Sequence, residues 1–582
     1  MNNDRANSKY YAAGIAIAVA FAGTLAVKVA VNLHDVMKDA PSASSSPSTP
    51  KVPRVTAERP VADNLPSLIN QHLQNEAFPQ RSSLAQLYED SHFAPLWVRS
   101  PDHLKDLKQA AEDAAAQGID SGVLVDLLEG TDKKSLANQS GESIAMKDIA
   151  LSKEALVLAQ ALRLGVLQTK QMGDSWHMTV DTFDPLPDLA AALKGNKVKA
   201  YFTDLQPPEE QYRTLIKALA AYQDLAAKGG WPTLDSATEI KLGKPDERNA
   251  ALRQRLVAEG YLKNPDADDA TLMDAVKAFQ TRNGLEPDGR LGKDTVAAMN
   301  VSADERVGQI AANLERWRHT PRDRGDKYIA VNTAATTLAV MNKGEPGLKL
   351  NVITGDRHHG TPILNVRITG VTLNPRWEIP YSIATKEILP KLQKNPNYLV
   401  DNNMVIVDGP AAGTQGEGID WAQYSRKGFP MRFRQKAGDD NSLGLVKFQM
   451  QNEWNIYLHD TPGRKAFAKF ERHLSHGCVR VDQPATLAEN VLTGTGEWTE
   501  ESIKAQIDKG RTETIALKTP LPVYIFYWTA FGENGTVAFR NDIYKRDHEI
   551  AEALGIGAGT ENKMAEEKAT PAPTPLKQTA QN

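Results

Sequence analysis

Nucleophilic chemistry requires a reactive side chain with a base beside it, and one stretch of this chain offers both. Residues 459–481, HDTPGRKAFAKFERHLSHGCVRV, contain the only cysteine of the 582-residue chain, Cys478, and His459 precedes it by nineteen residues. A thiolate is the reactive form of cysteine, and a nearby imidazole or cation lowers the thiol pKa. The candidates for that environment are His459, His476 and Arg480. Gly477 allows the close backbone approach that an oxyanion-binding turn needs.

Two other roles compete for Cys478. The spacing His473-x-x-His476-x-Cys478 could supply zinc ligands, although a structural zinc site takes four and the chain has no second cysteine. A lone cysteine can also pack in a core as a small hydrophobe. The glycine turn favours the nucleophile, as does the strand-like run NIYLHD, which would hold His459 opposite the cysteine.

Composition and charge bound the kind of protein. With 582 residues, 41% hydrophobic and 24% charged, the chain is long enough for three or four domains. A net charge of −4 without a dominating basic block gives no reason to expect a nucleic acid partner. A single cysteine cannot form an internal disulfide, so the cysteine count does not indicate whether the protein works in a reducing or an oxidising compartment.

The N-terminus predicts export. Residues 10–27 form an uncharged, mostly apolar run that just reaches across a membrane, which predicts a single-pass anchor within residues 1–31. The charges that flank this run are Arg5, Lys9 and Lys28. They keep the N-terminus in the cytoplasm and send the remainder across. A cleaved signal peptide is the alternative, because residues 18–20 have the small-x-small form.

The rest of the chain predicts an α+β multidomain protein. A Ser- and Pro-rich stretch cannot build a core, helical periodicity follows it, and β-rich segments begin near residue 326. The predicted segments are a linker at 32–59, a helical scaffold at 60–245, a three-helix module at 246–301, a connecting helix at 302–325, a mainly β domain at 326–545 with an inserted lid at about 381–440, and a disordered tail at 546–582.

The three-helix module carries a family resemblance. The sequences GYL, AVKAFQ and DGRLGKDT are similar to the peptidoglycan-binding type 1 domain. Its predicted core brings Ala275, Phe279 and Leu285 against Leu252, Leu256 and Tyr261. The resemblance implies a wall-binding module, and a generic helical spacer stays the alternative.

A second resemblance covers most of residues 60–545. HDTP at 459–462 and SHGCVRV at 475–481 resemble the signature of L,D-transpeptidases with a YkuD-type catalytic domain, and the whole chain resembles their large, membrane-anchored Gram-negative members of the YcbB type. This resemblance implies an inner-membrane protein whose catalytic part is periplasmic. It also implies a catalytic domain that works without a metal or organic cofactor.

The resemblance implies a role for each residue that matches the family's pattern. Cys478 is expected to be the nucleophile and His459 its base, oriented by the main-chain carbonyl of Asp460. Ser475, His476 and Gly477 match the turn before the nucleophile, where main-chain N–H groups would bind the oxyanion. The positions expected to contact substrate are Arg480, Tyr457 and Trp377. A packing role for Trp377 stays open.

The implied reaction is acyl transfer between peptidoglycan stems. The thiolate attacks the L-centre of diaminopimelate in a tetrapeptide donor, expels D-Ala, and passes the acyl group to a diaminopimelate amine of an acceptor stem, giving a 3→3 cross-link. Carbapenems are the expected inhibitors. The alternatives are attachment of a lipoprotein, exchange of D-amino acids, and a wall-binding scaffold without catalysis, against which the presence of both His459 and Cys478 argues.

Overall fold

The computed structural model describes residues 64–74, 81–235 and 246–556. The predicted membrane anchor, the predicted linker and the residues after 556 lie outside these ranges. Within the described ranges, no helix has both the length and the apolar character required to cross a membrane.

The N-terminal part is a bundle of helices packed around one long helix. The helices are α1 (Leu65–Gln74), α2 (Arg81–Glu89), α3 (Pro101–Ala115), α4 (Gly122–Leu128), α5 (Lys133–Ala137), α6 (Gly141–Leu164), α7 (Pro185–Lys194) and α8 (Val198–Asp204), with a short strand β1 (Trp176–His177) before α7. Asp148 of α6 is buried, and it accepts hydrogen bonds from the Tyr88 hydroxyl at 2.6 Å and the Trp97 N–H at 2.9 Å. These bonds compensate the buried carboxylate and fix the loop before α3.

A helix and a three-helix module follow. They comprise α9 (Glu210–Ala227), α10 (Asn249–Ala258), α11 (Asp269–Arg282) and α12 (Lys293–Met299). The buried core of the module contains Leu252, Leu256, Ala275 and Phe279, and Tyr261 and Leu285 pack against it. The predicted core of the module is therefore confirmed.

The next helix, α13 (Ala303–Arg318), is buried along most of its length and joins several parts of the chain. Its Glu315 carboxylate accepts a hydrogen bond from the Leu167 N–H at 2.7 Å. Its Arg316 lies 2.6 Å from the carboxylate of Asp547. Because these charges are buried and paired, the predicted connecting helix is a central element rather than a peripheral link.

The C-terminal part contains most of the strands. They are β2 (Lys327–Asn332), β3 (Thr337–Asn342), β4 (Glu345–Gly355), β5 (Ile363–Leu373), β6 (Trp377–Glu378), β7 (Met404–Asp408), β8 (Arg432–Gln435), β9 (Val446–Met450), β10 (Leu458–His459), β11 (His473–Ser475), β12 (Val479–Val481), β13 (Glu513–Phe526), β14 (Ala530–Glu533) and β15 (Thr536–Phe539). The helices among them are α14 (Tyr381–Ile383), α15 (Leu389–Lys394), α16 (Tyr398–Asp401), α17 (Pro484–Leu492), α18 (Glu500–Ile507) and α19 (Asp547–Ala553).

Eight of these strands close into a ring. Their order is β5, β13, β2, β3, β4, β12, β10 and β9, and β9 pairs with β5 again. The strands alternate buried and exposed side chains, and the buried set includes Val331, Val352, Val371 and Phe448. A closed ring removes free sheet edges and gives the loops that it carries a rigid base.

The insertion after β5 is a small unit with its own core, and we call residues 377–435 the lid. Its sheet has the order β6, β8 and β7, and a π-helical turn at Ala384–Ile388 lies between α14 and α15. Its core includes Ile388, Leu392, Trp421 and Phe433. The lid begins before the expected residue 381, because β6 pairs with β8.

The predicted disordered tail starts too early. Residues 547–553 form α19, whose Asp547 carboxylate accepts a hydrogen bond from the Thr529 hydroxyl at 2.7 Å and pairs with Arg316. Ile550 of this helix is also buried. The helix is held by contacts that are distant in sequence, which local composition does not reveal.

Candidate active site

Three neighbouring strands of the ring bring the candidate residues together. In β10, His459 lies opposite Arg480 of the parallel strand β12 and opposite Lys447 of the antiparallel strand β9. Cys478 immediately precedes β12, and the N–H of the next residue, Val479, donates to the Tyr457 carbonyl at 2.9 Å. The pairing of β10 with β12 therefore places the cysteine turn beside the histidine strand.

Hydrogen bonds fix the turn that carries Cys478. The buried Ser475 hydroxyl donates to the Cys478 carbonyl at 2.5 Å and accepts from the Gly477 N–H at 3.1 Å. Gly477 has a φ of +113°, a conformation that L side chains rarely adopt. The hydroxyl of buried Thr361 donates to the Gly477 carbonyl at 2.8 Å, which ties the turn to β4 and β5.

Burial and a contact with a main-chain carbonyl fix the orientation of the His459 ring. Its side chain is buried, and Nδ1 lies 2.5 Å from the Asp460 carbonyl oxygen. Because a carbonyl only accepts, Nδ1 carries the proton and Nε2 is left to accept one. Burial, reinforced by the charge of Arg480, lowers the pKa of His459 to about 4. The imidazole is therefore neutral at neutral pH.

The Asp460 side chain supports this arrangement. Its carboxylate accepts hydrogen bonds from the Leu445 N–H at 2.8 Å and from Arg464 at 2.6 Å. Gly444 has a φ of +61°, and a Cβ there would lie 2.4 Å from the Asp460 carboxyl carbon. Only glycine lets this loop approach Asp460 so closely.

The thiol of Cys478 is free and half-buried, and its Sγ lies 3.5 Å from the Asn455 carbonyl oxygen. Burial raises the pKa of Cys478, whereas a hydrogen bond from the Tyr457 N–H and the charges of Lys447 and Arg480 lower it. Since His459 has the lower pKa, the resting pair is a neutral thiol beside a neutral imidazole.

The structure gathers most of the predicted site residues around this turn and gives two of them other contacts. His476 is exposed, and its Nε2 lies 2.9 Å from Glu387 of the lid, while its ring lies 4.8 Å from that of His359. Trp377 is half-buried and packs against the core of the lid. His476 thus connects the cysteine turn to the lid, which is a contact that sequence reasoning did not predict.

His473, His476 and Cys478, the residues of the possible zinc spacing, do not converge on one ligand position. The Nε2 of His473 lies 3.0 Å from the Thr333 carbonyl oxygen, and its Nδ1 contacts Glu471. His476 pairs with Glu387 instead. The part of the chain that the structure describes holds no group of three or more His, Cys, Asp or Glu side chains placed to bind a metal ion.

Sequence reasoning missed Lys447, Thr361 and Gly444. The Lys447 ammonium lies 3.8 Å from the centre of the Tyr457 ring, next to the reacting pair. Alternation along β9 was the available signal, since the run VKFQM turns its apolar residues inward and places Lys447 on the opposite face of the strand. No local pattern distinguishes Thr361.

Comparison with known proteins identifies the domain families to which parts of this chain are similar. The family of L,D-transpeptidase catalytic domains (YkuD) matches residues 326–512, a "Scaffold domain" matches residues 82–219, and a "Putative peptidoglycan binding domain" matches residues 246–299. Residues 326–512 are therefore an L,D-transpeptidase catalytic domain of the YkuD type. The same chain carries a peptidoglycan-binding type 1 module before it.

One curated relative carries the same class name. A Haemophilus influenzae protein named "Putative L,D-transpeptidase" is 35% identical over 242 residues, which are 42% of this chain and 48% of the relative. The chain thus spans about half the length of that curated relative. An L,D-transpeptidase structure from Xylanimonas cellulosilytica aligns with 50% of this chain and 100% of its own at 16% identity and a TM-score of 0.16. One from Stackebrandtia nassauensis aligns with 52% and 99% at 15% identity and a TM-score of 0.18. These TM-scores are too low to support a comparison of folds.

Burial of neutral His459 predicts a pH-dependent stability. The folded pKa of about 4 lies below the ordinary 6.5, so the unfolded state binds the proton more tightly. Stability that is present above pH 6.5 is lost as the pH falls toward 4, and we expect the loss to reach about 2 kcal/mol by pH 5. Urea denaturation of wild type and His459→Gln at pH 7.5 and 5 measures it. The same pH dependence in both proteins would show that burial of His459 is not its cause.

Thr361 predicts a structural effect on the cysteine turn. In Thr361→Val, the Gly477 carbonyl loses its donor and the Gly355 N–H loses an acceptor at 2.9 Å, both buried. We expect a loss of about 1–3 kcal/mol in the free energy of unfolding. Thr369→Val is the matched control, since Thr369 is exposed on β5, the strand that follows Thr361, and should change stability by less than about 0.5 kcal/mol. Equal effects of the two substitutions would contradict the role of Thr361.

Proposed function

We propose that the protein is a peptidoglycan L,D-transpeptidase that forms 3→3 cross-links through a thioester on Cys478. One observation carries this proposal: the register of β10 and β12 sets His459, with Nδ1 bound to the Asp460 carbonyl, beside the cysteine turn. A neutral imidazole as base and a half-buried thiol as nucleophile suffice for acyl transfer without a cofactor.

Acylation begins with proton transfer from the Cys478 thiol to Nε2 of His459. The sulfur then forms a bond with the carbonyl carbon at the L-centre of diaminopimelate in a tetrapeptide stem. As the tetrahedral intermediate collapses, the C–N bond to D-Ala breaks and His459 returns its proton to the leaving amine. D-Ala departs, and the acyl group remains on sulfur as a thioester.

The oxyanion is stabilised at the cysteine turn. The Gly477 N–H already donates to Ser475, so its residue shapes the turn instead of binding the oxyanion. The Cys478 N–H has no acceptor within the described part of the chain, and we assign the oxyanion to it. Ser475 and Asp460 are then positioning residues, while Tyr457 and Arg480 line the site.

The acceptor completes the reaction. The side-chain amine of a second diaminopimelate attacks the thioester, His459 takes the proton that this amine loses, and the Cys478 thiol leaves as the peptide bond forms. Water as acceptor would give hydrolysis. A lipoprotein amine or a free D-amino acid would give attachment or exchange by the same thioester.

The other domains suit work on the cell wall. We propose that the peptidoglycan-binding module at residues 246–299 binds the polymer that carries the stems. We propose that the apolar run at 10–27 anchors the chain in the inner membrane, with the catalytic domain in the periplasm. The two stems are the proposed partners, and His476 with Glu387 connects the lid to the turn that receives them.

Incubation of the full-length chain, in mild detergent, with disaccharide-tetrapeptide tests the proposal. We expect release of D-Ala and a dimer with a bond between two diaminopimelate residues, identified by tandem mass spectrometry. A carbapenem added first should abolish both products. Release of tripeptide alone would show that the enzyme hydrolyses the stem and does not cross-link it. The absence of any product would contradict the proposal.

A further inference from the structure

Two cations beside the reacting pair have no partner of opposite charge. Lys447 and Arg480 flank His459 on the neighbouring strands β9 and β12, and both are half-buried. Within the described part of the chain, neither side chain makes a hydrogen bond or an ion pair. The one carboxylate that acts on Lys447, Glu378 of the lid, is already paired with Arg434.

This arrangement costs stability unless an anion completes it. Half-buried cations without a counter-charge are unfavourable, and two of them on either side of one imidazole disfavour its protonation, which the base must undergo during catalysis. The thiolate of Cys478 cannot be the lasting counter-charge, because the sulfur is neutral in the thioester. An anion that arrives with the substrate would supply the missing counter-charge.

The chemistry of the leaving group says where that anion lies. His459 delivers a proton to the departing amine, so the leaving residue sits on the side of the thioester that faces β10. In a terminal α-amino acid, one carbon separates the amine from the carboxylate. That carboxylate consequently falls next to the cations that flank His459.

We infer that Lys447 is a specificity-determining residue that binds the free α-carboxylate of the donor's terminal residue, with the Tyr457 ring holding its ammonium in place. The ammonium lies 3.8 Å from the centre of that ring, and Lys447 is opposite His459 in the register of β9 and β10. This inference rests on the proposed function. It adds that the enzyme distinguishes a terminal carboxylate from a terminal amide.

Two donors test the inference with the full-length chain. One is disaccharide-tetrapeptide ending in D-Ala, and the other is the same compound ending in D-alaninamide. For wild type we expect kcat/KM to be about 10- to 100-fold higher with the free acid, as charged hydrogen bonds allow. Lys447→Met should remove this preference by lowering kcat/KM for the free-acid donor only. Lys447→Arg should restore part of the preference.

Matched controls separate the possible outcomes. Lys349→Met, an exposed lysine on β4, should keep the wild-type preference. Alkylation of Cys478 by iodoacetamide reports thiol reactivity without a donor. Equal use of both donors by wild type, or an equal loss on both donors with slowed alkylation in Lys447→Met, would overturn the inference and leave the proposed function standing. No product from either donor would overturn both.

Discussion

Replacement of Cys478 by alanine is expected to abolish transfer, by at least about 10⁴-fold, because the thiol is the only group proposed to hold the acyl chain. The chain has no second cysteine to take its place. Serine at this position should be nearly as inactive, since a neutral imidazole of pKa about 4 is a weak base for a hydroxyl. Chromatographic quantification of cross-linked dimer measures the loss.

The fold should survive this change. Cys478 is half-buried, and its thiol makes one long contact with the Asn455 carbonyl, so the free energy of unfolding should change by less than about 1 kcal/mol. Retention on purified sacculi should also be unchanged, because the peptidoglycan-binding module is elsewhere. Dimer formation by folded Cys478→Ala would contradict the assignment of the nucleophile.

Replacement of His459 by glutamine is expected to reduce transfer by about 10³-fold, the middle of the range for loss of a general base. A glutamine amide can still donate to the Asp460 carbonyl, but it cannot take the thiol proton. Because burial holds the pKa of Cys478 above its ordinary value, little thiolate forms without the imidazole. Stopped-flow acylation by a carbapenem isolates this step from deacylation.

His358→Gln is the matched control for the base. His358 is exposed on the loop after β4, and only its backbone N–H bonds to Asp356. Its loss should change the acylation rate by less than about twofold. Equal rates for His459→Gln and wild type would exclude His459 as the base, whatever the behaviour of the control.

The sequence was most informative where chemistry and local structure coincide. The motif around Cys478 combines a glycine that must adopt positive φ, a serine that bonds across the turn, and a histidine at the end of a strand. Each of these features has a local signature. The turn and the position of His459 at the end of a strand could therefore be predicted without coordinates.

Residues set by distant pairing could not be found in this way. Lys447 reaches the site through the register of β9 against β10, and Thr361 reaches it through the approach of β5 to the turn. For Trp377 the sequence left a substrate contact and a packing role open, and its half-buried ring packs with the core of the lid. The start of the tail was also misplaced, because a buried ion pair between Arg316 and Asp547 orders α19.

The most direct test is intact-protein mass spectrometry of the full-length chain after brief incubation with disaccharide-tetrapeptide, beside the Cys478→Ser variant. We predict a mass increase equal to the disaccharide-tripeptide acyl group on wild type, located at Cys478 by peptide mapping, and none on the variant. An adduct at another residue, or product formation by the variant, would contradict a thioester on Cys478.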